Sequence, residues 1–409
     1  MSELEVVGGA GRLAAERVGA EVTARGAEKT EADGADAAAP SRRLDQAIRG
    51  IGAGAADLDR APRFPPEAFL ALGDAGALAV TIRAVREGRS VRAEWDLLRR
   101  VAAADASVAR VLDGHLNAVE RLEVAAEPEL RERELAAVAA GHRLFGVWGA
   151  DPGPGEGDPA RLTETGAGLV LRGAKTFCSG AGGVDAAMVM VGNDAGEPPA
   201  LVLLDCGAEV EVDRSWYRAP GLRASESHRV VFHGAPVTAV LGNPGELARD
   251  PWFSRDAMRT AATWAGMVDA AVAAALDELA EHRAGDPLAR LAAGRIEAAS
   301  GTVDAWLDRA ATVADDAIAQ CLHLSPDGGP RCRRSDVAVT PRATGIAMRA
   351  EIDRAAKAIL GEAAAACGSH PFVTGGRLDR ARRDLETFLL QHRLDPLLVK
   401  LGAEGLAGR

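Results

Sequence analysis

The feature that most constrains the fold is a change of texture in the middle of the chain. Between about residues 145 and 248, short apolar runs such as Met188 to Val191 and Leu201 to Leu204 alternate with turn clusters rich in Gly, Pro, Asn and Asp. Helical segments come before and after these runs rather than between them, which argues against a Rossmann-type parallel sheet. The sequence therefore predicts an antiparallel β domain over residues 145–248.

Helical periodicity fills the two flanking regions. In residues 44–144, apolar positions such as Leu97, Leu98 and Val101 recur at helical spacing. From residue 249 to residue 409, Ala-rich segments keep one apolar face at the helical period, and an exposed loop is expected over 324–336. The predicted fold class is α+β: an N-terminal helical domain, a middle antiparallel β-barrel-like domain and a C-terminal four-helix bundle.

Composition excludes several functions. Residues 1–43 hold few large apolar side chains and predict a mobile tail. The formal net charge of −11 argues against general affinity for nucleic acid or anionic membrane, and no window reaches the roughly 18 apolar residues of a membrane span. The five cysteines are scattered, without a close pair, which predicts a reducing cytoplasm and neither a disulfide framework nor a metal site.

Five short motifs follow one another along this pattern. They are WGADPGPGEGD (148–158), GAKTFCSGAG (173–182), GLRASESHRVVFHGAPV (221–237), HRAGDPLARLAAGR (282–295) and ACGSHPF (366–372). Gly-rich backbone lets amides approach a ligand closely, and an aromatic residue near a hydroxyl suits a flat ring with a polar edge. With the order of helices, strands and helices, the motifs resemble the acyl-CoA dehydrogenase superfamily of flavoproteins over about residues 44–405.

The resemblance implies an FAD site between the β domain and the bundle. By residue-by-residue match, Phe177 lies against the flavin ring and the Ser179 hydroxyl reaches the ring's polar edge. The motif that begins at Trp148 resembles the family's loop that contacts the flavin and covers the acyl thioester, although the family's threonine–glutamate start is absent here. The implied cofactor contacts in the β domain are Trp148, Gly149, Ala150, Phe177, Cys178 and Ser179.

Further implied contacts come from a neighbouring subunit, so the resemblance implies a homodimer or homotetramer. Arg283 would reach the flavin pyrophosphate, because a guanidinium fork pairs two phosphate oxygens. The family's aromatic residue after this arginine is Ala284 here, which removes stacking on the adenine. Gly368 and Ser369 would contact the cofactor through their backbone.

The family's usual base is missing. Dehydrogenation of an acyl thioester needs a carboxylate that removes the proton next to the carbonyl. The matching position holds His392, or Gln391 if the match slips by one residue. A second position used by some members, directly before Arg259, holds Met258. Arg259 is expected to orient the substrate or the base.

Three functions stay open. The first is FAD-dependent α,β-dehydrogenation of an acyl thioester or related small substrate, with His392, Gln391 and Arg259 as catalytic residues and an electron-transfer flavoprotein as partner. His392 also resembles the flavin monooxygenase branch, in which a histidine near the ring assists the reaction of reduced flavin, delivered by a flavin reductase, with oxygen. The third is a catalytically inactive subunit that kept the fold.

Overall fold

The computed structural model describes residues 4–6, 39–87, 89–192, 198–246, 250–323, 341–391 and 393–407. Within the predicted mobile tail of residues 1–43, it describes a strand, β1, at Leu4–Val6 and the start of a helix at Ala39. The remainder of that tail lies outside the described residues, and so does the predicted loop 324–336.

Helices make up the described chain between residues 39 and 139. They are α1 (Ala39–Arg60), α2 (Pro66–Asp74), α3 (Val80–Arg86), α4 (Arg92–Ala104), α5 (Ala106–Ala125) and α6 (Pro128–Ala139). The α5 helix begins at Asp105, whose carboxylate caps it by accepting a hydrogen bond from Val108 N at 2.9 Å. Because α5 is buried along nearly its whole length, it forms the centre of this region.

The described strands form two sheets. The strands after β1 are β2 (Phe145–Trp148), β3 (Arg161–Thr165), β4 (Gly168–Cys178), β5 (Ala186–Val191), β6 (Ala200–Asp205), β7 (Val210–Asp213), β8 (His228–Pro236) and β9 (Ala239–Leu241). One sheet has the order β1-β7-β8-β4-β3 and the other has the order β2-β5-β6-β9.

One strand pair departs from the antiparallel prediction. Strands β2 and β5 run parallel, with Phe145 opposite Ala186 and Trp148 opposite Val189, whereas the other pairs are antiparallel. Parallel neighbours need a long crossover, and residues 149–185 provide it through β3 and β4 of the other sheet. The prediction of a wholly antiparallel domain is therefore wrong at this pair, and a barrel-like closure remains a prediction.

Helices follow the sheets, as predicted. They are α7 (Trp252–Arg283), α8 (Pro287–His323), α9 (Pro341–Cys367), α10 (His370–Val373), α11 (Arg377–Leu389) and α12 (Asp395–Ala407). The α7 helix packs on α8, α9 and α11, and also on α4. Gly266 permits the contact with α4, since a Cβ there would lie 2.0 Å from the carbonyl oxygen of Arg99. Their arrangement as a four-helix bundle remains a prediction.

Among the described helices, one bent pair has the length and composition of a membrane span. No single described helix has the length and apolar character needed to cross a membrane, although α2 and the stretch Ala77–Arg86 meet that test as a pair bent by 74°. The large apolar side chains Phe69, Leu72 and Leu78 of this pair are completely buried in the core.

Candidate functional site

The turn after β4 holds an unusual phenylalanine. Phe177 has a φ of 52°, in the left-handed region that a bulky side chain rarely adopts. Its ring is 56% exposed and meets the ring of Trp216 edge-on, with 4.8 Å between centroids. A strained backbone that presents an aromatic ring to the surface is typical of a ligand site, because surrounding contacts must hold it there.

Two neighbouring segments and one hydrogen bond within the turn itself hold this turn. The completely buried indole of Trp148 donates a hydrogen bond to Ser179 O at 3.1 Å. Gly180 N donates to Ser225 O at 2.8 Å, and Ser179 N donates to Phe177 O at 3.0 Å. Trp148 therefore fixes the turn from inside the core.

A chain of three buried hydroxyls ends at Ser179. Ser225 Oγ donates to Leu222 O at 2.7 Å, so its oxygen must accept the proton of Ser227, 2.7 Å away. Ser227 has then used its proton and must accept from Ser179 Oγ at 2.8 Å. Since each hydroxyl has one proton and two acceptor lone pairs, the Ser179 oxygen is left as an acceptor for any group beside it.

Two predicted contacts on the other motif lie next to the turn. Ala150 O accepts a hydrogen bond from Thr176 N at 3.0 Å, directly before Phe177. The buried Lys175 ammonium binds Gly149 O at 3.2 Å and the Asp151 carboxylate at 2.6 Å. A Cβ at Gly149 would meet no atom within 4 Å, so space is open above this segment. The structure thus brings Gly149, Ala150 and Phe177 together at the ends of β2 and β4.

The loop that follows β7 is strained and is fastened to α11. Besides Phe177, Leu222 and Glu226 are the described non-glycine residues with positive φ, at 53° and 48°. Asp384 Oδ1 accepts a hydrogen bond from Leu222 N at 2.6 Å, and Arg383 donates to Pro220 O at 2.6 Å. Burial raises the pKa of Asp384 to about 7, despite the opposing Leu222 N–H. Strain therefore concentrates where the β region meets the terminal helices.

The glycine-rich loop of residues 151–158 also contacts this site. Glu156 accepts a hydrogen bond from the Trp216 indole at 2.9 Å and another from Gly153 N at 2.8 Å. The hydrogen bond from Trp216 and that from Gly153 lower the pKa of Glu156. The loop thereby sets the orientation of the ring that contacts Phe177.

The predicted contacts from a neighbouring subunit lie together on the surface. Arg283 is exposed in the last turn of α7. A Cβ at Gly368, whose φ is 73°, would lie 3.9 Å from Arg283 Nη2. Ser369 follows Gly368 and is exposed. Whether a second chain uses this surface for the flavin remains a prediction.

Arg259 lies in a buried ionic cluster between α4, α5 and α7. Its guanidinium binds Glu94 at 2.6 Å and Glu120 at 3.0 Å, and Arg255 binds Glu120 at 2.6 Å. These side chains are almost completely buried. Burial raises the pKa of Glu94, but the positive charge of Arg259 outweighs it and leaves that pKa lowered. The side chain of Arg259 is thus committed to carboxylates, and its role toward a substrate remains a prediction.

The other predicted site residues fall in different surroundings. Gln391 is exposed after α11, and His392 lies outside the described residues. Cys178 is buried, and burial raises the pKa of its thiol well above the ordinary value. Trp264 is buried, and its ring meets that of Phe388 edge-on with 6.1 Å between centroids. These positions stay predictions as far as binding is concerned.

Sequence reasoning missed Trp216 and Tyr217. Trp216 contacts Phe177, and the Tyr217 ring lies 6.4 Å from that of His228. A signal was available, because only 4% of the residues are aromatic and Tyr217 is the one tyrosine in the chain. Two adjacent aromatic residues in a polar loop of such a chain indicate a binding surface.

Comparisons with known proteins point to one fold. No family model matches the chain. Over 166 residues the chain is 31% identical to a dibenzothiophene monooxygenase from Rhodococcus erythropolis, a match that covers 37% of this chain and only 39% of that relative. The structure of TdsC from Paenibacillus sp. A11-2 with FMN and indole has a TM-score of 0.76 at 19% identity, covering 91% of this chain and 98% of that one.

A second solved structure agrees. The methanesulfinate monooxygenase MsuC from Pseudomonas fluorescens has a TM-score of 0.73 at 20% identity and covers 91% of this chain and 97% of that one. Similarity over nearly the whole length of both chains shows a shared fold, at identities too low to show a shared activity. The chain therefore has the acyl-CoA dehydrogenase fold that the sequence motifs implied.

Proposed function

We propose that the chain is a flavin-dependent monooxygenase, which uses reduced flavin and oxygen to oxidise a small substrate. The observation that carries this over dehydrogenation is the identity of the side chains where the resemblance places a carboxylate base. Gln391 and His392 stand at one position, and Met258, which is completely buried, stands at the other. The similarity to monooxygenases for dibenzothiophene and methanesulfinate supports the same choice.

The Phe177 turn fits a flavin. Phe177 and Trp216 offer a flat apolar contact, and the Ser179 oxygen is oriented as an acceptor. When bound there, a reduced flavin supplies the electrons that activate oxygen. An acceptor suits the reduced ring, which carries an N–H where the oxidised ring has a lone pair. We therefore expect reduced flavin to bind more tightly than oxidised flavin.

FMN is the flavin that we favour over the FAD expected from sequence. Arg283 offers a fork for one phosphate, while Ala284 cannot stack on an adenine. The FMN in the Paenibacillus structure supports this choice. A separate flavin reductase would deliver the reduced cofactor. His392, whose unperturbed pKa is about 6.5, would hold or release a proton at its imidazole during the oxygen reaction.

Assembly, location and domain limits complete the proposal. The exposed Arg283, with Gly368 beside it, suits a homodimer or homotetramer in which each chain completes a neighbour's site. The described cysteines Cys178, Cys206 and Cys367 are free, which suits the reducing cytoplasm. We retain the domain limits 44–144, 145–248 and 249–409.

The test is oxygen consumption in a coupled assay. Purified protein is mixed with FMN, NADH and a flavin reductase, and oxygen uptake with product formation is followed for a panel of indoles, aromatic sulfides and alkyl sulfinates. We expect substrate-dependent oxygenated product, and its loss in His392→Ala with flavin binding unchanged. Anaerobic bleaching of bound flavin by an acyl-CoA would contradict the proposal in favour of a dehydrogenase. A protein that binds no flavin would point to an inactive subunit.

A further inference from the structure

A cavity of about 780 Å³ adjoins the Phe177 turn and has a strongly basic wall. The wall includes four arginines, Arg63, Arg214, Arg218 and Arg223, together with Gly182 from the segment after the turn. We propose that this cavity binds an organic phosphate, an aromatic ring joined to one or more phosphate groups. Its use as the substrate handle rests on the proposed monooxygenase function, whereas the binding itself does not.

Two of the arginines are already paired with carboxylates. Arg214 donates a hydrogen bond to Glu226, whose pKa stays lowered because His228 and Arg214 outweigh the effect of burial. Arg63 binds Asp57 at 3.0 Å, with both side chains about half exposed. These two pairs leave little net charge on that part of the wall.

The other two arginines have uncharged partners. Arg218 Nε donates to Ser215 O at 2.9 Å, and Arg223 donates to the carbonyl oxygen of Asp59. Within the part of the chain that the structure describes, neither guanidinium pairs with a carboxylate. A carbonyl does not neutralise a guanidinium, so two positive charges face one cavity. Guanidinium forks pair with phosphate oxygens better than with any neutral ligand.

A buried histidine on the same wall lacks a hydrogen-bond partner. His228 is only 7% exposed, yet neither ring nitrogen is hydrogen-bonded within the described residues. Its Nε2 lies 3.4 Å from the Glu226 carboxylate, a contact that lacks hydrogen-bond alignment. Buried polar side chains nearly always have an aligned hydrogen bond, so an imidazole at a cavity wall that has none within the described residues supports a ligand there.

The size and the walls of the cavity favour a ring as well as a phosphate. Pockets of about 300–1,000 Å³ hold small organic ligands, and inorganic phosphate would fill only a fraction of this volume. Phe64 and Tyr217 give the wall two aromatic surfaces. A Cβ at Gly183 would lie 2.1 Å from the Phe64 ring, so glycine lets that ring take its place. The ligand class is therefore one of nucleotide size.

Calorimetric titration with ADP, pyrophosphate and adenosine tests the proposal. The whole chain is used with and without FMN, and no reductase or oxygen is needed, so the result does not depend on turnover. We expect one ADP per chain, bound more tightly than either fragment, and at least tenfold weaker binding in Arg218→Ala/Arg223→Ala. Arg309→Ala, which removes one charge from the exposed face of α8, should bind ADP like the unaltered protein.

Three results would overturn the assignment. Equal ADP affinity in the double variant and the unaltered protein would remove the arginines from the site. Displacement of FMN by ADP would assign these arginines to the flavin phosphate instead. Pyrophosphate that binds as tightly as ADP would exclude the ring. Arg218→Ala alone, at an exposed side chain, repeats the test without risk to folding. ADP binding without oxygen uptake would leave the cavity assigned while the monooxygenase proposal fails.

Discussion

The chain buries charge in two regions that differ in one respect. Around Arg259, the buried guanidinium and carboxylate groups bind opposite charges, although Arg255 Nη2 has no hydrogen-bond partner within the described residues, and the helices there are regular. Around Phe177 and His228, the backbone is strained and an aromatic ring is exposed. The buried imidazole of His228 has no aligned hydrogen bond within the part of the chain that the structure describes. Paired charges hold the helices together, whereas a strained backbone beside an exposed aromatic ring marks a place for a ligand.

Removing Arg259 should produce the largest effect. Arg259→Met leaves Glu94 and Glu120 buried with less positive charge, and we expect the free energy of unfolding to fall by about 3–5 kcal/mol. Urea denaturation followed by circular dichroism measures it. Adding Glu94→Gln to this variant should restore part of the loss. A variant as stable as the unaltered protein would show that the cluster does not hold the helices together.

The next-largest difference between the two regions should appear in the pH dependence of stability. The folded-state pKa of Asp384, about 7, exceeds its ordinary value of 3.8, so the folded protein binds that proton more tightly than the unfolded chain. Its stabilising contribution is therefore present at low pH and is lost as pH rises from about 4 to about 7.

Asp384→Asn tests this dependence. The variant keeps an acceptor for Leu222 N and should remove roughly 2–4 kcal/mol of the loss in unfolding free energy between pH 4 and pH 8. Denaturation midpoints across that range supply the measurement. The other titrating groups cancel in the comparison with the unaltered protein. Parallel stability curves would mean that Asp384 is ionised throughout.

Two substitutions at Phe177 should separate the effect of backbone strain on stability from the effect of the aromatic ring on FMN binding. Phe177→Gly should be about 1 kcal/mol more stable than Phe177→Ala, because glycine adopts the left-handed conformation without a Cβ penalty. Both lack the ring, and both should weaken FMN binding by about tenfold. Thermal unfolding and flavin fluorescence titration give the two readouts. Unchanged FMN affinity would take Phe177 out of the site.

The smallest effect is expected at Glu156. Glu156→Ala releases the Trp216 indole and should weaken FMN binding by about threefold, the size of one exposed hydrogen bond. Glu156→Gln retains an acceptor and should bind FMN as before. The same fluorescence titration serves both variants. Equal losses in the two would mean that the charge of Glu156, rather than its hydrogen bond, is what counts.

Much of the fold could be predicted, because helical and strand periodicity are local properties. The Ala-rich pattern after residue 249, for example, predicts helices, and α7 occupies Trp252–Arg283. Strand neighbours are not local. Nothing in the composition of β2 or β5 indicates that they pair in parallel across a connection of residues 149–185. The antiparallel expectation failed there for that reason.

In the candidate site, too, local features could be predicted from the sequence and distant contacts could not. The motif around Phe177 indicated a flat-ring contact, since its neighbours in sequence form the turn. Arg259 was expected to face a substrate, yet its partner Glu94 is 165 positions away in the chain and Glu120 is 139 positions away. Contacts at such separations leave no mark in a single sequence. For the same reason, the sequence did not indicate the hydrogen bond from Leu222 N to Asp384.

The parallel pair β2 and β5 has a consequence for how such chains diversify. The connection between them holds Gly149, Glu156, Phe177 and Ser179, whereas the register of β2 against β5 is set by residues outside it. Lengthening or shortening the surface loop near residue 154 would therefore reshape the surface around Phe177 without shifting β2 against β5. Exchange of this loop alone could therefore change the substrate specificity while the rest of the molecule stays as it is.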